Sequence, residues 1–366
     1  MEQDLLAGTN IATIFKAHQK DEPRTKEKVD IRKIRIFTGC NFVFTLLVRK
    51  YFLTITRLLH SNIFISEMAV GMDVTSKQWT DLYDYLTSGG NFSHCINGDY
   101  KSFDTGMSSQ IMFSVFDMLI TLARKSGNYS SNDLIIMTNI ANQICSPYIS
   151  FAGELYRFFG TNPSGHPLTV VINSLCNSLY IRLAYLQSMK EVHSFRENVK
   201  LMTYGDDNIM GVSPSIESKF NQLTISEFLK EHGITYTSAD KSNFTEKTCT
   251  FNQCEFLKRK FIFNEELQLY ICPLDKTSLI KSLSIIRKSK VLTDIEVFYE
   301  VFNNALFEWS MHENEEENTQ FIIKIARENN VELASEFLSI DRLRERFLQE
   351  PHWTGGLGNS KQVQQH

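Results

Sequence analysis

The sequence predicts an α+β protein of at least two domains, with strands and helices mixed through the middle and a helical block at the C-terminal end. Three observations carry that reading. Apolar residues recur at helical spacing in several windows, among them Ile111, Met112, Val115, Phe116, Leu119 and Leu122. Two stretches, 199–212 and 256–271, read as strand pairs around short turn signals. From Asp275 onward the periodic windows are helical. A chain of 366 residues has room for two or three domains with large cores.

The opening MEQDLLAGTN lacks a basic region followed by an apolar core, so it does not read as a signal peptide. Residues 16–35 carry eight Lys or Arg against four acids. The most apolar window, 42–59, is broken by Arg49, Lys50 and Arg57, which makes it an amphipathic or core helix that does not span a membrane. A helix is predicted over 108–125, stopped at Gly127, and another over 167–189, opening on Pro167. A hairpin over 199–212 turns at Gly205-Asp206, and a helix over 215–231 ends at Gly233. Segments 256–263 and 267–271 pair around Asn264-Glu265-Glu266. Helices over 278–288, 294–312, 319–329 and 334–349 follow, and the tail TGGLGNSKQVQQH frays.

Composition narrows the class. Hydrophobic content of 42% and charged content of 22% are those of a soluble globular protein. The seven cysteines form no CxxC pair and no zinc-like spacing, which predicts reduced thiols in a cytosolic compartment. A net charge of −4 argues against indiscriminate nucleic-acid binding, although the basic cluster near the start and the acidic run at 313–317 leave room for local focusing of an anionic substrate.

The chemistry-bearing stretches come next. LMTYGDDNIM sets Asp206 beside Asp207 between apolar runs. Adjacent carboxylates raise each other's cost of ionisation. They are either ordinary turn residues facing water or ligands of a hard divalent cation that offsets the repulsion. HCINGDYKSFDTGMSS carries Asp99 and Asp104 five residues apart. That odd spacing places them on opposite faces of a continuous strand, so the backbone must turn if both serve one pocket; otherwise Asp104 is a helix N-cap. In NPSGHPLTVVINSLCNS, a Ser164-Gly165 loop leads into a helix with Thr169 and Asn173 on one face. Asn173, flanked by Val170, Val171, Ile172 and Leu175, reads as a buried amide in need of partners. TSADKSN puts Lys241 in a short loop, and CEFLKRKF puts Lys258 and Arg259 on a strand. Each piece has an ordinary structural reading by itself.

Their order is the informative feature. A basic cluster, D-x4-D, SG-x3-T-x3-N, YGDD, ADKS and FLKR, in that sequence, resembles motifs F, A, B, C, D and E of viral RNA-dependent RNA polymerases. KDEPRTKEKVDIRKIR at 20–35 is similar to motif F of picornavirus-like positive-strand RNA viruses, and AVGMD at 69–73 with Trp79 resembles a stretch ahead of motif A. The resemblance covers residues 16 to 350.

It implies a right-hand polymerase with an antiparallel-sheet palm, partial fingers and a helical thumb: fingers in 1–50, palm in 51–272 with a fingers insertion at about 107–163, thumb and tail in 273–366. It implies RNA-templated nucleotidyl transfer with two Mg²⁺ or Mn²⁺ ions on Asp99 and Asp206, Asp207 assisting. Asp104 and Asn173, with Ser164, Gly165 and Thr169 nearby, would read the ribose 2′-hydroxyl. Lys241 would act as general acid toward pyrophosphate, Lys20, Arg24, Lys28, Lys33 and Arg35 would line the triphosphate channel, and Lys258 and Arg259 would touch the primer. The implied partners are template and primer RNA, ribonucleoside triphosphates, a genome-linked protein primer and other viral replication proteins. The implied setting is the host cytoplasm at membrane-associated replication complexes.

Only the first fifteen residues precede the basic motif, fewer than in the family, so the resemblance implies a chain truncated at the N-terminal fingers. The bulky Ser164–Leu168 loop and Asn208 lean toward invertebrate, algal or unclassified picorna-like viruses. Two alternatives stand beside this reading. An inactive or incomplete polymerase would bind RNA as a scaffold without turnover. A reverse transcriptase would share the paired Asp but place a bulky aromatic where Asp104 stands.

Overall fold

The computed structural model describes residues 1–9, 11, 13–238, 243–285, 288–313, 315–331 and 345–348. Packing divides the chain into two units, Met1–Val70 with Asn91–Cys249, and Gly71–Gly90 with the residues from Thr250 onward. Residues 71–90 and 250–272 fall in the second unit together with the helices from Lys276 onward.

In the first unit, β1 (Ile14–Gln19) and β2 (Ile36–Gly39) form a hairpin whose last pair is Gln19↔Ile36. Residues 20–35, which carry the basic motif, are therefore its tip. A second sheet is built from β3 (His94–Tyr100), while β4 (Tyr148–Phe151) and β5 (Glu154–Arg157) extend the first, in the order β2-β1-β4-β5. β6 (Val199–Tyr204), β7 (Asp207–Val212) and β8 (Tyr236–Thr237) lie in the second sheet with β3, in the order β6-β7-β3-β8, and these three pairings are antiparallel. β3 is central, and Cys95, Ile96 and Asn97 are all buried, so the strand reads as a run and not as an alternation.

Helices cover the sheet with the apolar faces anticipated from spacing. Phe42–Ser61 buries Phe44, Leu47, Val48, Tyr51, Phe52 and Ile55, and its Asn41 cap accepts from the Val43 amide at 2.8 Å. Ser109–Ser126 buries Met112, Val115, Phe116 and Leu119. Thr169–Met189 is buried around most of its circumference, including Asn173, Ser174 and Asn177. The helix expected over 215–231 is shorter, Gln222–Glu231, because Asn221 caps it through the Leu223 and Thr224 amides. The outer edge of β6 is covered. Buried Glu67 pairs with Arg182 through two bonds of 2.7 and 2.8 Å, and its carbonyl accepts from the Thr203 amide.

In the second unit, Trp79 of the Gln78–Leu86 helix stacks on Phe261 at 4.5 Å, and Tyr83 on Tyr270 at 3.7 Å. The segment 256–263, expected as one strand, is two. Leu257 and Lys258, at φ 55° and 60°, turn the chain between Glu255–Phe256 and Arg259–Lys260, and Ile262–Asn264 then pairs with Leu269–Ile271. Helices Lys276–Ser284, Asp294–Trp309 and Glu315–Glu328 share a core of Leu279, Phe302, Leu306, Trp309 and Ile322. Most of the helix expected over 334–349 lies outside the described residues. Among the described residues no helix is long and apolar enough to cross a membrane. Five cysteines, Cys40, Cys145, Cys176, Cys249 and Cys272, are free thiols. The expectation of reduced thiols throughout does not hold for Cys95 and Cys254, which are in disulfide form.

Candidate active site

The β6–β7 hairpin closes at Tyr204↔Asp207, leaving Gly205 and Asp206 as a two-residue turn. Gly205 has φ +64°, which a side chain would strain. The β3–β7 ladder ends at Gly98↔Asn208, so Asp99 and Asp207 are the next positions on facing strands. Asp99 also pairs with Thr237 of β8. Register alone therefore brings Asp99 to the double Asp.

Burial raises the pKa of Asp206, and the neighbouring carboxylates of Asp104 and Asp99 raise it further. Asp104 is raised by burial too, while its bond from Asn173 and the Arg35 guanidinium oppose that. Asp99, Asp104, Asp206 and Arg35 thus act on one another. Among the described residues, Asp99, Asp206 and Asp207 do not form a group with every ligand oxygen within 4.8 Å. An oxygen-only donor set of mutually repelling carboxylates suits a hard divalent cation.

The backbone does turn between the two acids of D-x4-D. β3 ends at Tyr100, Ser102 adopts φ 57°, and Asp104 sits on the short Phe103–Gly106 turn of helix. Asp104 is not the cap of the following helix, whose N-cap is Ser108. Instead it accepts from Asn173 Nδ2 at 2.5 Å. Asn173 is 7% exposed, the buried amide that its apolar flanks require.

The Ser164-Gly165 loop docks on β2. Ser164 Oγ accepts from the Thr38 amide at 2.9 Å, and a Cβ on Gly165 would come within 1.8 Å of the Thr38 carbonyl oxygen. Thr169 donates its hydroxyl to the carbonyls of Pro163 and His166, at 2.9 and 2.8 Å, so it closes the loop. These bonds shape the loop that leads to Asn173 and hold Ser164, Gly165 and Thr169 within it.

The basic tip is organised by Glu22, which pairs with Arg24 at 2.6 Å, Arg35 at 3.4 Å and Lys20 at 3.6 Å. Arg35 is the cation whose charge reaches Asp104 and Asp206. Lys28 and Lys33 are exposed on the same tip. Lys258 lies at a tight turn. Arg259 is engaged within the protein: it donates to both carboxylate oxygens of Glu308, at 2.8 and 2.6 Å, and to the Cys272 carbonyl. Lys241 lies outside the described residues.

Sequence reasoning passed over residues that hold the turn. Asn177 Nδ2 donates to the carbonyls of Gly205, Asp206 and Asp207, at 3.1, 3.0 and 3.3 Å. Its Oδ1 accepts from Tyr100 Oη and Asn208 Nδ2, both at 3.2 Å. Ser174 Oγ accepts from the Gly205 amide at 2.8 Å. The available signal was a second asparagine, one helical turn beyond Asn173, in an equally apolar run.

Residues 5–329 match the family described as viral RNA-dependent RNA polymerase. The chain belongs to that family. The replicase polyprotein of cricket paralysis virus is 32% identical over 288 residues, covering 75% of this chain and 16% of that protein. The genome polyprotein of deformed wing virus is 34% identical over 270 residues, 73% of this chain and 9% of that protein. This member of the viral polymerase family therefore spans about a sixth or less of these two polyproteins. A solved Sicinivirus 3Dpol RNA-dependent RNA polymerase superposes with a TM-score of 0.74 over 93% of this chain and 69% of its own, at 20% identity. The fold is that of a right-hand polymerase, as the ordered motifs implied.

Proposed function

We propose that the chain catalyses RNA-templated RNA synthesis, adding ribonucleotides to an RNA 3′-hydroxyl by a two-metal mechanism in viral genome replication. The observation that carries this is the register that sets Asp99 against the Asp206-Asp207 turn, beside the hydrogen-bonded Asp104–Asn173 pair. Asp99, Asp206 and Asp207 would hold two divalent ions, Mg²⁺ or Mn²⁺, which supply Lewis-acid activation of the attacking oxygen and neutralisation of the leaving one. Asp104 accepts from the ribose 2′-hydroxyl, and Asn173 donates to it. Arg35, with Lys20, Arg24, Lys28 and Lys33 on the same hairpin tip, meets the triphosphate. Lys241 donates a proton to the departing pyrophosphate, and Lys258 touches the primer backbone.

In this reading 1–50 and about 107–163 belong to fingers, the rest of 51–272 to palm, and 273–366 to thumb. Template and primer RNA and ribonucleoside triphosphates are the substrates. A genome-linked protein primer and other viral replication proteins are partners at membrane-associated complexes of the host cytoplasm.

Asp206→Asn is nearly isosteric and tests the assignment. Several kcal/mol of transition-state stabilisation are at stake, so template-dependent primer extension should fall by about a hundredfold or more, with the thermal midpoint measured without divalent ions retained. Extension by the variant at the wild-type rate would sink the metal-site reading, whereas a wild type that extends no primer would return the chain to an RNA-binding scaffold.

A further inference from the structure

Behind Asp104 stands a line of buried polar side chains, of which Asn173 alone belongs to the proposed sugar contacts. The Leu168 amide donates to His166 Nδ1 at 3.2 Å, which leaves the ring proton on Nε2. Nε2 donates to Asn162 Oδ1 at 2.8 Å. Asn162 Nδ2 then donates to the Thr169 carbonyl at 3.1 Å and to Asn173 Oδ1 at 2.7 Å. Asn173 Nδ2 completes the line at Asp104 Oδ1.

Two backbone groups, the Leu168 amide and the Thr169 carbonyl, therefore set the direction of every bond. The exposures of Asn162, His166 and Asn173 are 2%, 4% and 7%, so water does not substitute for a missing partner. Burial also holds the pKa of His166 down to about 3, which keeps the ring neutral with a single N–H.

The consequence lies at Asn173. The two ends of a carboxamide have almost the same shape, so packing barely distinguishes them; hydrogen bonds do. Turned over, Asn173 would set its oxygen against the Asp104 carboxylate, acceptor to acceptor, and a 2′-hydroxyl would lose its donor.

We propose that Asn162 and His166 are positioning residues for sugar selection, holding the Asn173 amide with its N–H end toward Asp104 and the 2′-hydroxyl of the incoming nucleotide. This rests on the reading of Asp104 and Asn173 as the sugar contacts.

The test compares single-nucleotide addition of a ribonucleotide and its 2′-deoxy analogue by the intact protein. Asn162→Asp is isosteric but offers Asn173 an acceptor in place of a donor, which turns that amide over. The ribo-to-deoxy ratio of kcat/KM should fall on the order of tenfold, mainly through the ribonucleotide rate. His166→Leu, which deletes the N–H, should act in the same direction, and His166→Gln, which keeps an N–H donor, should restore most of the ratio. A purely structural role would slow both sugars together and leave the ratio unchanged in all three variants; that result overturns the inference. A wild type that makes RNA but adds both sugars alike would instead remove the sugar reading of Asp104 and Asn173, and the inference with it.

Discussion

Asn177 is fully buried, and its one amide satisfies three consecutive carbonyls of the turn that carries Asp206. Without it those carbonyls, the Tyr100 hydroxyl and the Asn208 amide lose a partner. Asn177→Ala should therefore cost about 1–3 kcal/mol of stability, measured by urea unfolding, and lower the extension rate beyond the loss explained by unfolded protein. An unaltered rate in the folded fraction would make Asn177 a purely structural bond. His166 gives a pH prediction of definite sign. Its pKa is about 3 in the fold, below the ordinary value of 6.5, so between those values the unfolded chain binds more protons than the folded one. Stability then falls as pH drops from 6.5 toward 3. His166→Gln should flatten that part of a stability-versus-pH curve, and an identical slope in both proteins would contradict the buried neutral ring. Asn173 was legible as a polar residue in an apolar helix. Asn177 was equally visible, but its partners lie 28 to 30 positions away and no local rule names them.

Helices and hairpins were legible where their own residues decide them. The turn at Gly205-Asp206 needs a positive φ and two residues, both present in YGDD. The segment 256–263 misled because no glycine or proline marks its turn, which falls on Leu257 and Lys258, two residues that rarely adopt positive φ. That turn changes what FLKR means. It sends Arg259 to Glu308, with side-chain exposures of 12% and 17%. Glu308→Ala should strand a largely desolvated guanidinium and cost about 2 kcal/mol or more, measured by denaturant unfolding. Arg259→Ala should lower stability with little change in RNA affinity, whereas Lys258→Ala should do the reverse. The opposite pattern would restore Arg259 as a primer contact.

On the scale of the whole molecule, the site collects residues from distant parts of the first unit: the basic tip before β2, Asp99 and Asp104 around β3, Asn173 from the long helix, and the β6–β7 turn. An ion that binds this assembly and not the unfolded chain must stabilise the fold. With Mg²⁺ at a hundredfold excess over its dissociation constant the gain is about 2.7 kcal/mol, which shifts a thermal midpoint by several degrees, at roughly 2–4 °C per kcal/mol. Wild type should show this shift in calorimetry, and Asp206→Asn should show little of it. A wild-type midpoint that ignores Mg²⁺ and Mn²⁺ alike would remove the carboxylates from a metal role.

The sequence by itself determined the family, the polymerase fold class and the acids to examine, because an ordered series of short motifs survives without any knowledge of contacts. Tertiary structure alone decided which polar groups face one another. The strand register brings Asp99 to Asp206, Glu308 captures Arg259, Glu22 gathers Lys20, Arg24 and Arg35, and Asn162 with His166 stands behind Asn173. The physical reason is the same in each case. Spacing along a chain fixes which face a side chain occupies, but hydrogen bonds and ion pairs form between faces that only packing brings together.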